Sequence, residues 1–165
     1  MACAMARLGR AAESLAQLEL ALATYRASEY RHSRSLILNM VAETYFYAGR
    51  IETALALLQE IEVFIDRTGE YIGDVGLYGL RGQVLQNQGD YRSAEACFVR
   101  ALILARQRHA KGAELRAAIL LSRLWQEQGQ QEQARDLLLP IYNRFAEGYD
   151  TVDLRTAKAL LNELA

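Results

Sequence analysis

Residues 124–134 read LWQEQGQQEQA, five glutamines in eleven residues around a single glycine. Alone, the stretch has the composition of a polar linker between domains. Its surroundings give it a different reading. Gly129 is the last of a series, Gly9, Gly49, Gly89 and Gly129, each 40 residues after the one before. Their contexts are alike: RLGRAAESL, YAGRIETAL, NQGDYRSAE and EQGQQEQAR. Five residues after each glycine stands a small residue (Ser14, Ala54, Ala94, Ala134). Nine after stands a larger apolar one (Leu18, Leu58, Phe98, Leu138), and twelve after a third apolar one (Ala21, Ile61, Ala101, Ile141). Steps of four and then three residues keep all three on one face of a helix. The glutamine-rich stretch is the fourth turn of a repeated helix-turn-helix unit, not a linker.

Glycine just past a helix accepts the left-handed conformation that ends it. The small residue five positions on lets the second helix approach the first, and the larger residues fill the space between pairs. No pair can bury its apolar face alone, so pairs must stack. Helices are expected near 1–8, 10–28, 31–48, 50–67, 71–88, 90–108, 111–128, 130–146 and 151–164, with no sustained strand alternation anywhere. The expected class is all-α, one domain over 1–165, in four repeats of about 40 residues (1–30, 31–69, 70–109 and 110–148). An amphipathic helix over 150–164 closes the stack, with Asp150 or Thr151 as its cap. Pro140 is expected to bend the helix before it. At the other end, Met1 to Leu8 is short for a complete helix, which points to an earlier natural start or to a second copy covering that face.

Composition narrows the function. The chain has 165 residues, 52% of them apolar, and a net charge of −1. Nothing global draws it to nucleic acid or acidic lipid. No apolar run reaches the roughly 18 residues of a membrane span, and the N-terminus lacks a signal-peptide core. Cys3 and Cys97 form no metal or redox spacing, so a reduced, cytoplasmic setting is expected. Cys97 and Trp125 read as packing residues. His32 and His109 sit near helix boundaries without a zinc-site spacing. The basic run from Arg100 to Arg116, with Arg106, Arg108 and Lys111, reads as a solvated helix end complementing the dipole. No catalytic set, cofactor or metal site is expected.

The repeat resembles the tetratricopeptide repeat, which places Gly at a turn and then Ala, an aromatic and Ala along the second helix. Gly82, Leu85, Gly89, Asp90, Tyr91, Ala94, Phe98 and Ala101 match it best. Repeats of that family run about 34 residues, so these units are extended by longer helices and lack the usual proline. The resemblance implies a right-handed α-solenoid of antiparallel helix pairs. A second resemblance rests on ELRAAILLSRLWQEQG, ARDLLLPIYNRFAEGYDTVDLRTAKALL and RTGEYIGDVGLYGLRGQ. These segments are similar to the C-terminal repeat region of bacterial cyclase-like ATPase signalling proteins. Matching positions include Arg116, Trp125, Arg135, Pro140, Tyr142, Phe145, Gly148, Thr151 and Asp153. The implied role is a non-catalytic interaction scaffold, the regulatory tail of a larger signalling ATPase or nucleotide cyclase. The alternative is that any NTP-dependent activity belongs to a parent protein's upstream domains, since neither catalytic module lies in this chain.

Partners of such repeats lie on the concave face made by the first helix of each pair. By spacing, that face presents Asn39, Glu43, Phe46, Tyr47, Gln83, Gln86, Asn87, Arg116, Arg123 and Gln126. Amides, two aromatics and two arginines suit a peptide or helix as partner. Self-association through the N-terminal end is a further expectation; nucleic acid and membrane are not expected as partners. One departure from the second family stands out: Gly73, Gly76, Gly79 and Gly82 follow at three-residue steps. Three interior glycines weaken a helix by about 2–3 kcal/mol relative to alanine. Gly76 and Gly79 are expected on the concave face, as a shallow floor, a softened helix start or simple drift, and Gly82 against its partner helix.

Overall fold

The computed structural model describes residues 18–20, 22–25, 34–69 and 73–165. Among these there is no strand. Residues 18–20 and 22–25 are helical, and seven helices follow: α1 Arg34–Tyr47, α2 Ile51–Thr68, α3 Asp74–Asn87, α4 Tyr91–Gln107, α5 Lys111–Glu127, α6 Gln131–Tyr142 and α7 Val152–Glu163. The expected helix over 1–8 lies outside the described residues, as do Gly9, Ser14, His32 and Cys3.

The turns form as the glycine spacing predicts. Gly49, Gly89 and Gly129 have φ of +75°, +83° and +78°. Each turn is closed by the same pair of backbone bonds. The glycine N–H donates to the carbonyl three residues back, at 3.0 Å in all three turns, and the next N–H reaches the carbonyl five residues back. These bonds satisfy carbonyls that the helix end would leave open. Asp90 caps α4 by accepting from Ser93 N at 3.1 Å. Thr151 caps α7 by accepting from Leu154 N at 3.4 Å, which settles the choice between Asp150 and Thr151.

The chain divides into two compact units, 1–84 and 85–165, with the division inside α3. In the first, Leu18, Leu22, Leu38, Val41, Tyr45, Leu58, Ile61, Leu77 and Leu80 form one apolar cluster, with Phe46, Leu55 and Ile65 packed on it. Arg34 donates to Glu60 at 2.7 Å and lies over the Phe64 ring. Arg81 grips Glu62 with two parallel bonds of 2.9 Å. That fork holds the Glu62 carboxyl below its ordinary pKa against the opposing effect of burial.

In the second unit α5 packs against α4, α6 and α7, and α7 also packs on α6. The residues at offsets five, nine and twelve are the core: Ala94, Phe98, Ala101, Ala134 and Leu138 are fully buried, as are Ala54, Leu58 and Ile61 in the first unit. Trp125 is buried and donates from its indole to Glu95 at 2.8 Å, so the ring packs while its polar edge is satisfied. Leu154, Ala157, Leu160 and Leu164 bury the apolar side of α7.

Two expectations are corrected. The helix expected to run to 146 stops at Tyr142, two residues after Pro140. A proline inside a helix offers no N–H and crowds the preceding turn. The N–H groups of Asn143, Arg144 and Phe145 turn back to Leu139, Ile141 and Tyr142 carbonyls instead. Of the readings given to Gly76 and Gly79, the shallow floor does not hold, because Gly79 is buried and Gly76 lies against the Asn39 side chain. Gly73 and Gly82 are buried as well. A Cβ on Gly73 would stand 2.5 Å from the Ser35 carbonyl carbon and 2.8 Å from Leu36 N. The start of α3 therefore lies backbone-to-backbone against the start of α1, a distance only glycine permits.

Candidate interaction site

The ten residues assigned to the first-helix face have unequal surroundings. In the first unit Asn39 is only 9% exposed, and its carbonyl Oδ1 has no hydrogen-bond partner among the described residues. Glu43, Phe46 and Gln83 are half-buried. Phe46 packs on the core, and Gln83 turns back to the Gly79 carbonyl at 3.3 Å. Tyr47 is exposed and stands edge-on to Phe46 with ring centroids 5.4 Å apart.

In the second unit several of the residues tie neighbouring helices together. Gln86 donates to Glu127 at 2.8 Å, Gln126 to Glu163 at 3.1 Å, and Arg116 pairs with Asp153 at 3.8 Å. Asn87 and Arg123 are exposed. Arg123 makes no hydrogen bond or ion pair among the described residues, and its five donors are open to a partner. The structure thus brings Arg116, Gln126 and their α7 acceptors together on the α5–α7 side and leaves Arg123 available beside them on α5.

A different cluster was not legible in the sequence. Glu114, one turn into α5, is only 5% exposed. A buried carboxylate must be paired, and two arginines meet it. Arg106 Nε, from the last turn of α4, donates to Oε1 at 2.9 Å, and Arg144 Nη2, from the turn after α6, donates to Oε2. Burial pushes the Glu114 carboxyl up, but the two guanidinium bonds and charges outweigh it and hold the group below its ordinary 4.5. The remaining N–H groups of both arginines have no other partner among the described residues. Around them lies a solvent-open pocket of about 410 Å³ that His109 and Lys111 also line, with Pro140 and Ile141 as its apolar wall.

His109 is itself unusual. It is the one non-glycine residue with positive φ among the described residues, at +54°. Its turn repeats the bonding of the glycine turns: His109 N donates to Arg106 O at 3.1 Å and Ala110 N to Ala105 O at 3.0 Å. A side chain in this conformation costs on the order of 1 kcal/mol. A sequence signal was present, because 109 lies 20 residues beyond Gly89 and Gly69 lies 20 before it. Gly69 also has positive φ, +67°. Turns therefore recur every 20 residues, and His109 fills a glycine position. Arg144 and Glu114 gave no such signal, since 30 residues separate them.

Glu114 makes stability depend on pH. Its folded pKa is lowered, so its contribution is complete above the unfolded value and is lost as pH falls through the folded one. Between about pH 5 and 3 the wild-type chain should lose stability more steeply than Glu114→Gln, as urea unfolding at stepped pH would show. Glu62 acts in the same direction, so the variant's slope should be shallower without being flat. Parallel slopes would mean that the two arginines do not favour the charged carboxylate.

No group of three or more His, Cys, Asp or Glu among the described residues could hold a metal ion. None of the described helices is long and apolar enough to cross a membrane.

Comparison with known proteins agrees with this architecture. Residues 75–108 match the Tetratricopeptide repeat family, over the stretch that fits the pattern best in sequence. Comparison with curated proteins gives no match. Among solved structures, the chain is similar to a Podosopora anserina chain described as a kinesin light chain with nearly identical TPR-like repeats, seen with and without one substitution. The TM-score is 0.68 for both, the identities are 16% and 17%, and 99% of this chain and 81% of that one are covered. At such identity the likeness is one of fold, an α-solenoid of helix pairs.

Proposed function

We propose that the chain is a non-catalytic scaffold that binds a protein or peptide on the first-helix face of its repeats. The observation that supports this most is the repeat architecture itself: helix pairs with tetratricopeptide character, built around small and large residues at fixed offsets. Exposed Tyr47 and Asn87, the last residues of α1 and α3, and exposed Arg123, one turn before the end of α5, are the contacts a partner would use. Gln86, Arg116 and Gln126 tie neighbouring helices together, and Phe46 packs on the core. Binding would draw on a few such groups, with arginine giving bidentate contacts to carboxylates.

Arg123→Ala and Tyr47→Ala should each weaken partner binding about ten-fold or more. Arg123→Ala should leave the unfolding temperature within about 1 °C, because surface changes without partners rarely alter stability. The measurement is titration of a partner captured on the wild-type chain against both variants. Undiminished binding in both would remove this face from the function. Phe46→Ala is the less decisive variant, since that ring also packs on the core.

We further read the chain as four units of about 40 residues that form the C-terminal regulatory part of a larger signalling ATPase or nucleotide cyclase. The segments similar to that family, ELRAAILLSRLWQEQG among them, support this. An antibody against the chain would show a native polypeptide far larger than 18.6 kDa. A band at 18.6 kDa would leave a stand-alone adaptor. Nucleotide turnover by the chain itself would overturn the non-catalytic reading. Self-association through the N-terminal end concerns residues outside those described, and light scattering across concentration tests it.

A further inference from the structure

The cavity around Arg106, His109, Lys111 and Arg144 lies apart from the first-helix face and does not depend on the scaffold reading. We propose that it binds a phosphomonoester group carried on a short organic stem. Arg106, Lys111 and Arg144 against the one carboxylate of Glu114 leave two positive charges in excess before His109 is counted. A phosphomonoester carries about −1.5 to −2 at pH 7 and offers three acceptor oxygens, so the charges balance where a single carboxylate would leave one uncompensated.

Geometry adds to charge. Glu114 takes one donor position from each arginine and holds both guanidinium groups at the cavity. Their other N–H groups are thereby positioned before any ligand arrives, and planar guanidinium forks suit phosphoryl oxygens. The pocket is open to solvent and, at about 410 Å³, has room for more than a bare oxyanion. Pro140 and Ile141 give the stem an apolar wall.

His109 supplies the independent observation. Gly49, Gly69, Gly89 and Gly129 take this backbone conformation without a side chain. At the cavity the chain instead holds a strained imidazole that can donate a hydrogen bond to an anion. Strain kept where glycine would relieve it points to a use for the side chain.

The test is an NMR titration of the full 165-residue chain, at fixed ionic strength, with O-phosphoserine, inorganic phosphate and serine. O-phosphoserine should bind with a Kd of about 1 mM or tighter, shifting the amides of His109, Lys111, Gly112 and Arg144. It should bind several-fold more tightly than inorganic phosphate, and serine should bind not at all. His109→Gly and Lys111→Gln leave the Glu114 pairing intact and should each weaken O-phosphoserine binding about ten-fold. His109→Gly should at the same time raise the unfolding temperature by a few degrees. A purely structural His109 predicts the temperature change with affinity unaltered. That result, unaltered affinity in Lys111→Gln, or shifts mapping elsewhere overturns the proposal. Inorganic phosphate binding as tightly as O-phosphoserine would overturn the organic stem and reassign the cavity to free phosphate.

Discussion

A Gly73→Ala chain should unfold about 5–10 °C below the wild type, a loss of about 3 kcal/mol for a chain of this size. The reason is where the new methyl would go. Its neighbours at 2.5 and 2.8 Å are backbone atoms of Ser35 and Leu36 together with the Ser35 Cβ. Ser35 is fully buried, so no flexible side chain can swing away. Either α3 or α1 must shift, and the contacts of Leu38, Leu77 and Leu80 shift with them. Gly76→Ala is the internal control. There the close atom is the Asn39 amide Nδ2 at 2.4 Å, the end of a side chain rather than backbone. Alanine also gains up to about 1 kcal/mol of helix propensity over glycine. Gly76→Ala should therefore cost less than Gly73→Ala, and Asn39→Ala should rescue it. The rescue is favoured further because Asn39 Oδ1 already lacks a hydrogen-bond partner. Thermal unfolding of the three single variants and the Asn39→Ala/Gly76→Ala double variant gives the comparison. Equal unfolding temperatures for Gly73→Ala and wild type would refute the backbone contact.

Phe98→Ala should be more damaging still, by about 3–5 kcal/mol. Phe98 is the largest fully buried side chain among the described residues, and Ala94 and Ala101 on the same face are too small to refill its place. Equilibrium denaturation measures the loss, and residue-resolved hydrogen exchange locates it. Lost protection should concentrate in α4 to α7 for Phe98→Ala and in α1 to α3 for Gly73→Ala. Such division is expected where stability is largely a sum over neighbouring helix pairs. A loss under about 1 kcal/mol for Phe98→Ala would contradict a close-packed second unit.

These two sites show how much of the molecule was legible beforehand. The place of Phe98 in the core followed from its nine-residue offset from Gly89, because helical periodicity and burial are both local consequences of one 3.6-residue repeat. The left-handed turns at Gly49, Gly89 and Gly129 were legible for the same reason, as was Trp125 in the core. The role of Gly73 was not. Spacing counts its distance along the chain but does not show that residues 35 and 73 touch. The candidate face was only partly legible: helical spacing placed Arg123 in solvent, but Gln86, Arg116 and Gln126 bond to residues 41, 37 and 37 positions away.

By itself, then, the amino-acid order determined most of the described helices, their turns and which side of each is apolar, because hydrophobic period, turn chemistry and small-residue placement act within a few residues of one another. Only the tertiary structure decided that Gly73 must be glycine, that α6 ends early and sends Arg144 to Glu114, and that His109 stands in a basic cavity. Those are meetings between residues 30 or more apart or between separate helices. Their energies come from close approach and from pairing a buried charge, which no local pattern in the chain records.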